Sequence, residues 1–223
     1  MSTKLTTNAA NFQRARTPAQ KKERRSALLE AAVRVLERDG LALAGLNAIA
    51  REAGFSKANL YRYFDSREEI FLHILLEDQL LWTEGVAEKL NALTQTGKEK
   101  QVSRVLISQL MLFPRLITLA PALSSVLEHN VPSHVILKFK MDMQAAAEKI
   151  NTGLKAALPG LSDSQARLFL GAFHHLVSAM APALDPPSAV QEAMESPVLV
   201  GTATDFEADL EVFLVTFLKG LRT

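Results

Sequence analysis

The sequence predicts an all-α protein, an N-terminal three-helix unit followed by a larger helical domain, and three observations carry that prediction. Apolar residues recur at three- and four-residue spacing along most of the 223-residue chain, the period of one helix face. No stretch shows sustained period-2 alternation rich in β-branched residues, which a half-buried strand would need. The 10 glycines and 9 prolines fall mostly between the periodic segments, where they stop helices.

Thr17-Pro18-Ala19-Gln20 predicts the first helix start: a threonine N-cap, proline at the first helical position, and glutamine placed to close a capping box. That helix turns Ala27, Leu28, Ala31, Ala32, Val35 and Leu36 inward and ends at Asp39-Gly40. A short helix from Leu46 to Ala53 buries Leu46, Ile49, Ala50 and Ala53, and Gly54 supplies the left-handed residue that ends it, with Phe55 folding back. Ser56 caps another short helix, Lys57 to Phe64, with Leu60 and Phe64 inward. Ser66 with Glu69 is a second capping box, opening a helix to about Leu93. After a polar break at 94–100, one helix is expected from Val102 to Leu119, and another from Pro132 to Leu158. Ser162 with Gln165 caps a helix to Met180, Ser188 to Glu195 fits a short helix, and Thr204 with Glu207 caps the last one, through Leu221.

Composition removes several classes of function. There is no cysteine, hence no disulfide, thiolate nucleophile or Cys-based metal site. No HExxH, glycine-rich phosphate loop, nucleophile elbow or carboxylate pair occurs, so no catalytic residue, metal site or cofactor is expected. The polar first 25 residues lack the apolar core of a secretory signal. Two apolar stretches do not suit a membrane: Val105 to Leu127 contains Pro114, Arg115 and Pro121, and Leu168 to Leu184 is 17 residues long, short of the roughly 20 a span needs. A cytoplasmic location without membrane contact is expected. The overall net charge of +1 conceals a division: residues 1–70 hold 13 basic and 8 acidic side chains, whereas residues 71–223 hold 12 and 16. The basic portion suits nucleic acid and the acidic remainder would avoid it.

The segment 46–71, LNAIAREAGFSKANLYRYFDSREEIF, carries the chemistry. A helix, a glycine turn and a second helix make a helix-turn-helix, whose second helix enters the DNA major groove N-terminus first. Its leading end offers Lys57, Ala58 and Asn59. Lysine can donate to guanine, asparagine can bond adenine bidentately, and alanine allows close approach. Ser56, Tyr61 and Tyr63 have hydroxyls suited to phosphate oxygens, and Arg67 adds a cation. The same residues could also form an ordinary amphipathic surface.

The segment resembles the TetR family of bacterial transcriptional repressors. The resemblance rests on Ile49-Ala50-Arg51-Glu52-Ala53-Gly54, Ser56-Lys57, Leu60-Tyr61-Arg62-Tyr63-Phe64 and Ser66-Arg67-Glu68-Glu69-Ile70, with the Leu29-Glu30-Ala31-Ala32 lead-in, and covers about residues 22–72. It implies a homodimeric, ligand-responsive DNA-binding protein in which Lys57, Ala58 and Asn59 lie near bases and Ser56, Tyr61, Tyr63 and Arg67 near phosphates. The family usually caps its first motif helix with Thr or Ser. Here Gly45 stands there, and Asn47 is the nearest substitute for the missing hydroxyl. The implied organisation is a basic arm (1–17), a DNA-binding domain (18–72), and an effector-binding and dimerisation domain (73–223) whose last two helices pair with those of a second subunit.

In the larger domain, Phe113, Arg115, Phe139, Met143 and His174 are candidate effector contacts. An arginine isolated in an apolar helix needs a partner, either a core carboxylate or the polar end of a ligand. Adjacent His174 and His175 point about 100° apart and cannot chelate one ion together. The apolar, weakly aromatic character of residues 100–180 favours a small hydrophobic or amphipathic effector. The function expected is a repressor that binds a palindromic operator on double-stranded DNA and is released by that effector. The alternatives are an activator using the same DNA contacts, or a small-molecule-binding protein or enzyme retaining the motif as scaffold.

Overall fold

A computed structural model describes residues 17–93, 98–199 and 205–222, and every regular element in them is helical. By packing, the chain divides after Tyr63 into two compact units. By that packing Phe64 to Leu72, several of them buried, group with the larger unit. The expected arm, 1–17, lies outside the described residues except for Thr17.

The smaller unit contains α1 (Pro18–Leu43), α2 (Leu46–Glu52) and α3 (Lys57–Leu60). The Thr17 hydroxyl accepts from the Gln20 N–H and the Gln20 side chain accepts from the Thr17 N–H, both at 3.2 Å, so the capping box forms. Leu28, Ala31, Ala32, Val35 and Leu36 are buried. Gly40 interrupts α1 at φ 75°, ψ 166°, a conformation open to little but glycine, and one further turn follows it. Gly54 sits at φ 70°, and the Phe55 N–H reaches back to the Ala50 carbonyl at 2.8 Å, which fixes the angle at which α3 leaves α2. Ser56 caps α3 by accepting from the Asn59 N–H. Regular α-helix ends at Leu60, not at Phe64. Beyond it the Arg62 and Tyr63 N–H groups bond the carbonyls three residues back, the tighter winding common at helix ends. Leu60 and Phe64 are nevertheless both buried.

The larger unit comprises α4 (Arg67–Ala92), α5 (Glu99–Leu110), α6 (Pro114–Leu119), α7 (Ser133–Ala157), α8 (Asp163–Met180), α9 (Ser188–Met194) and α10 (Phe206–Leu221). Ser66 accepts from the Glu69 N–H, but the Glu69 carboxylate turns to the N–H of Asp65 at 2.8 Å instead of closing the box on Ser66. Buried side chains face several directions around α4, Ile70, Phe71, Leu72, Ile74, Leu75, Trp82, Val86 and Leu90 among them, which makes it the central helix. Its most extensive partner is α7. Gly153 of α7 permits that closeness, since a Cβ there would stand 3.1 Å from the Leu90 Cβ.

The single helix expected over 102–119 is two. Proline has no N–H and its ring collides with the carbonyl four residues back, so α5 stops at Leu110 and Pro114 opens α6 at its first position. A 3₁₀ turn (Ala120–Ala122) around Pro121 and one π turn (Leu123–Leu127) continue the path. No single described helix is long and apolar enough to cross a membrane, and Glu99–Leu110 with Pro114–Leu127 reach that length only as a pair bent by 90°. The Ser162–Gln165 capping box forms as expected. At α10 the cap is Asp205, accepting from the Ala208 N–H; Thr204 lies outside the described residues.

Candidate functional site

The exposed side of the smaller unit is built from two segments distant in sequence. Lys57 and Ala58 at the start of α3 are exposed and Asn59 is half-buried, while Tyr61 is exposed with the Lys57 ammonium 5.8 Å from its ring centre. Asn59, Arg62 and Tyr63 line a groove of about 300 Å³ whose other wall is Lys21, Lys22, Arg24 and Arg25 from the first turns of α1. That lining brings five cations together and no carboxylate. Two acids of the same unit, Glu52 and Asp39, are engaged elsewhere. Glu52 accepts from Arg34 and Arg38, both at 2.9 Å, and Asp39 from Arg38 at 2.9 Å. Arg38 and Arg34 hold the Glu52 carboxyl, and Arg38 that of Asp39, below the usual carboxylate range.

Five of the sequence-derived residues, Ser56, Lys57, Ala58, Asn59 and Tyr61, belong to α3 or its caps, and Tyr63 closes the following turn. Asn47 is exposed on α2, and Gly45 caps that helix with no side-chain bond. Arg67 stands in the larger unit, 2.8 Å from Glu68. Sequence reasoning left Lys21, Lys22, Arg24, Arg25 and Arg62 outside the site. The signal was present for the first four, a basic cluster over 21–25 that one helix turn gathers on adjoining faces.

The larger unit contains a partly open apolar cavity of about 100 Å³. Leu75 and Trp82 of α4, Leu110 of α5, Leu116 of α6, Met143 of α7, and Phe173, His174 and Val177 of α8 line it. Trp82 and Phe173 stack in parallel, ring centres 5.4 Å apart, and the His174 ring meets both edge-on at 6.0 and 5.6 Å. Of the residues picked from sequence, Met143 and His174 reach this cavity; Phe113, Arg115 and Phe139 are not in its lining. Arg115 takes the core-carboxylate alternative, bonding both oxygens of buried Asp78 at 2.7 and 2.5 Å. Phe139 lines a separate groove with Leu72, His73 and His134, and Phe113 is half-buried at the N-cap of α6. Burial pushes the His174 pKa down to about 4, opposed by a hydrogen bond to the Leu170 carbonyl and reinforced by the neighbouring His175. Trp82 and Phe173 are cavity residues that do not stand out in the sequence, because periodicity does not separate a cavity wall from a packed interior.

Comparison with known proteins agrees in both units. Residues 28–74 match the family described as bacterial regulatory proteins, tetR family. The HTH-type transcriptional regulator YfiR of Bacillus subtilis is 33% identical over 86 residues, which are 39% of this chain and 38% of YfiR. An HTH-type regulator of Mycobacterium tuberculosis is 51% identical over 43 residues, 19% of this chain and 21% of its own length. The chain therefore spans well under half of these relatives. Among solved structures, the fatty acid degradation regulator FadR of Bacillus halodurans aligns with a TM-score of 0.55 at 16% identity, over 94% of this chain and 99% of its own. Thermus thermophilus FadR, in complex with lauroyl-CoA, aligns at 0.55 and 18%, over 88% and 94%. Bacillus subtilis FadR, in complex with stearoyl-CoA, aligns at 0.52 and 17%, over 89% and 97%. At those identities the likeness is one of fold. Residues 76–223, about two-thirds of the chain, match the tetracyclin repressor-like C-terminal domain, and with both parts so matched the chain belongs to the TetR family.

Proposed function

We infer that this protein is a dimeric, ligand-responsive transcriptional repressor that binds a palindromic operator through α3 and is released by an apolar or amphipathic effector. The observation that carries the reading is the groove in which five cations and no carboxylate surround Asn59 and Tyr63 beside a helix-turn-helix. Such a surface neutralises phosphates, while the leading end of α3 meets base edges. One α3 makes few contacts, so affinity and palindrome reading require two copies. Leu168 of α8 and Val212 and Phe213 of α10 are large, apolar and exposed, on helices that pack together, and support pairing of those helices with a second subunit. The aromatic-walled cavity supports a hydrophobic effector group, and acyl-CoA ligands in two proteins of like fold support an amphipathic one. The protein acts in the cytoplasm and needs no cofactor on this reading.

The effector must bind the released state more tightly than the DNA-bound state, and DNA must weaken effector binding by the same factor. The test is fluorescence anisotropy on duplexes from the region upstream of the gene and on a scrambled control. Specific binding is expected, with Asn59→Ala losing about 1 to 3 kcal/mol on the cognate duplex alone. Equal loss on cognate and scrambled duplexes would remove Asn59 from base reading, and no binding at low salt would refute the repressor.

A further inference from the structure

His174 belongs to two hollows at once. Besides the apolar cavity it lines a cleft of about 430 Å³ between α7 and α8, together with Asn151, Gln144 and Gly171. Two buried acceptors there, Asn151 Oδ1 and His174 Nε2, have no hydrogen-bond partner, and Asn151 is only 3% exposed. The His174 ring is also bonded to the Leu170 carbonyl, which takes the Nδ1 proton and leaves Nε2 as a lone pair. Native proteins rarely leave such atoms unmatched, and those that are mark places where something else donates. Arg167 and Glu148 also line the cleft with opposite charges, so its lining favours neither sign.

We propose that the effector is anchored by an uncharged hydrogen-bond donor, a hydroxyl or an amide N–H, whose proton is shared between Asn151 Oδ1 and His174 Nε2. This rests on reading the larger unit as effector-binding, and adds the chemistry of the ligand's polar end. A ligand of equal apolar size that only accepts hydrogen bonds leaves both atoms unmatched. A carboxylate sets its lone pairs against theirs. A site built to pair a donor rejects the analogue lacking it more strongly than an apolar pocket rejects a missing methylene. The other wall of His174 is Trp82, the single tryptophan of the chain, so occupancy has a built-in fluorescence signal.

The experiment titrates the full chain at pH 7.5 with butan-1-ol, its isomer 1-methoxypropane, and butanoate, reading Trp82 emission and thermal stability together. The cavity of about 100 Å³ is smaller than the roughly 150 Å³ that takes up benzene in an engineered protein, so the probes are kept to five or six heavy atoms. The alcohol is expected to bind at least about tenfold more tightly than the ether or the carboxylate, a difference of about 1.4 kcal/mol. Asn151→Leu should remove that preference, and His174→Gln, which keeps an acceptor, should retain part of it while His174→Leu loses it. Ether binding as tight as alcohol, tighter binding of butanoate, or an unchanged preference in Asn151→Leu would overturn the donor assignment alone. Binding of none of the probes would overturn the cavity reading with it.

Discussion

Lowering the pH should destabilise this protein through His174 before its carboxylates titrate. Burial holds the histidine pKa at about 4 in the folded chain against an ordinary 6.5. A base whose folded pKa is depressed takes up its proton more readily when unfolded. Its contribution to stability is therefore intact above pH 6.5 and is lost as pH falls from there towards 4. Between pH 7.5 and pH 5 the loss works out at about 2 kcal/mol. That figure is an upper one, because the side chain as a whole keeps some exposure. The carboxyls held low by arginine or lysine partners, Asp39, Glu52, Asp163 and Glu211 among them, also stabilise only while ionised, but lose that below their ordinary range near 4. Urea unfolding at one protein concentration, followed by Trp82 emission and helical circular dichroism at pH 7.5, 6.5, 5.5 and 5, reads the slope. A His174→Gln chain should lose about 2 kcal/mol less over that interval. Parallel loss in the two chains would refute the burial argument.

Other perturbations have definite expected outcomes. Arg115→Met strands the buried Asp78 carboxylate and should cost about 3 to 5 kcal/mol in urea unfolding, most of it recovered in an Asp78→Leu, Arg115→Leu double variant. Gly54→Ala places a Cβ at φ 70° and should lower stability by about 1 to 2 kcal/mol, with weaker DNA binding because the α2–α3 angle depends on that turn. Phe213→Glu puts a charge on the exposed apolar face of α10; sedimentation should show a folded monomer that binds its operator far more weakly, and an unchanged dimer would move the interface elsewhere.

Features set by neighbouring residues could be read from the sequence, and those set by distant ones could not. The Thr17–Gln20 and Ser162–Gln165 boxes and the Gly54 turn are exchanges over a few residues, and each formed where its residue types placed it. The α5–α6 break was legible and missed: Pro114 forbids a continuous helix, but the apolar spacing runs on through it. Asp78 lies 37 positions before Arg115, and only the fold makes them partners. The α1 cations could be read as a basic cluster, but not as the second wall of a groove facing Asn59 and Tyr63. The cavity was hardest to foresee, because α4 is buried on several sides and its periodicity does not show which of its side chains border space.

On the proposed reading, the groove around α3 binds duplex DNA through its cations. The most direct test is the salt dependence of operator affinity for the native chain and for a Lys21→Ala, Lys22→Ala, Arg25→Ala variant. A dimer neutralising six or more phosphates should lose about a thousandfold in affinity between 50 and 200 mM salt. The variant, losing three cations from each subunit, should bind more weakly on every sequence and show a clearly shallower slope. A native affinity indifferent to salt, or a variant with the native slope, would contradict the account.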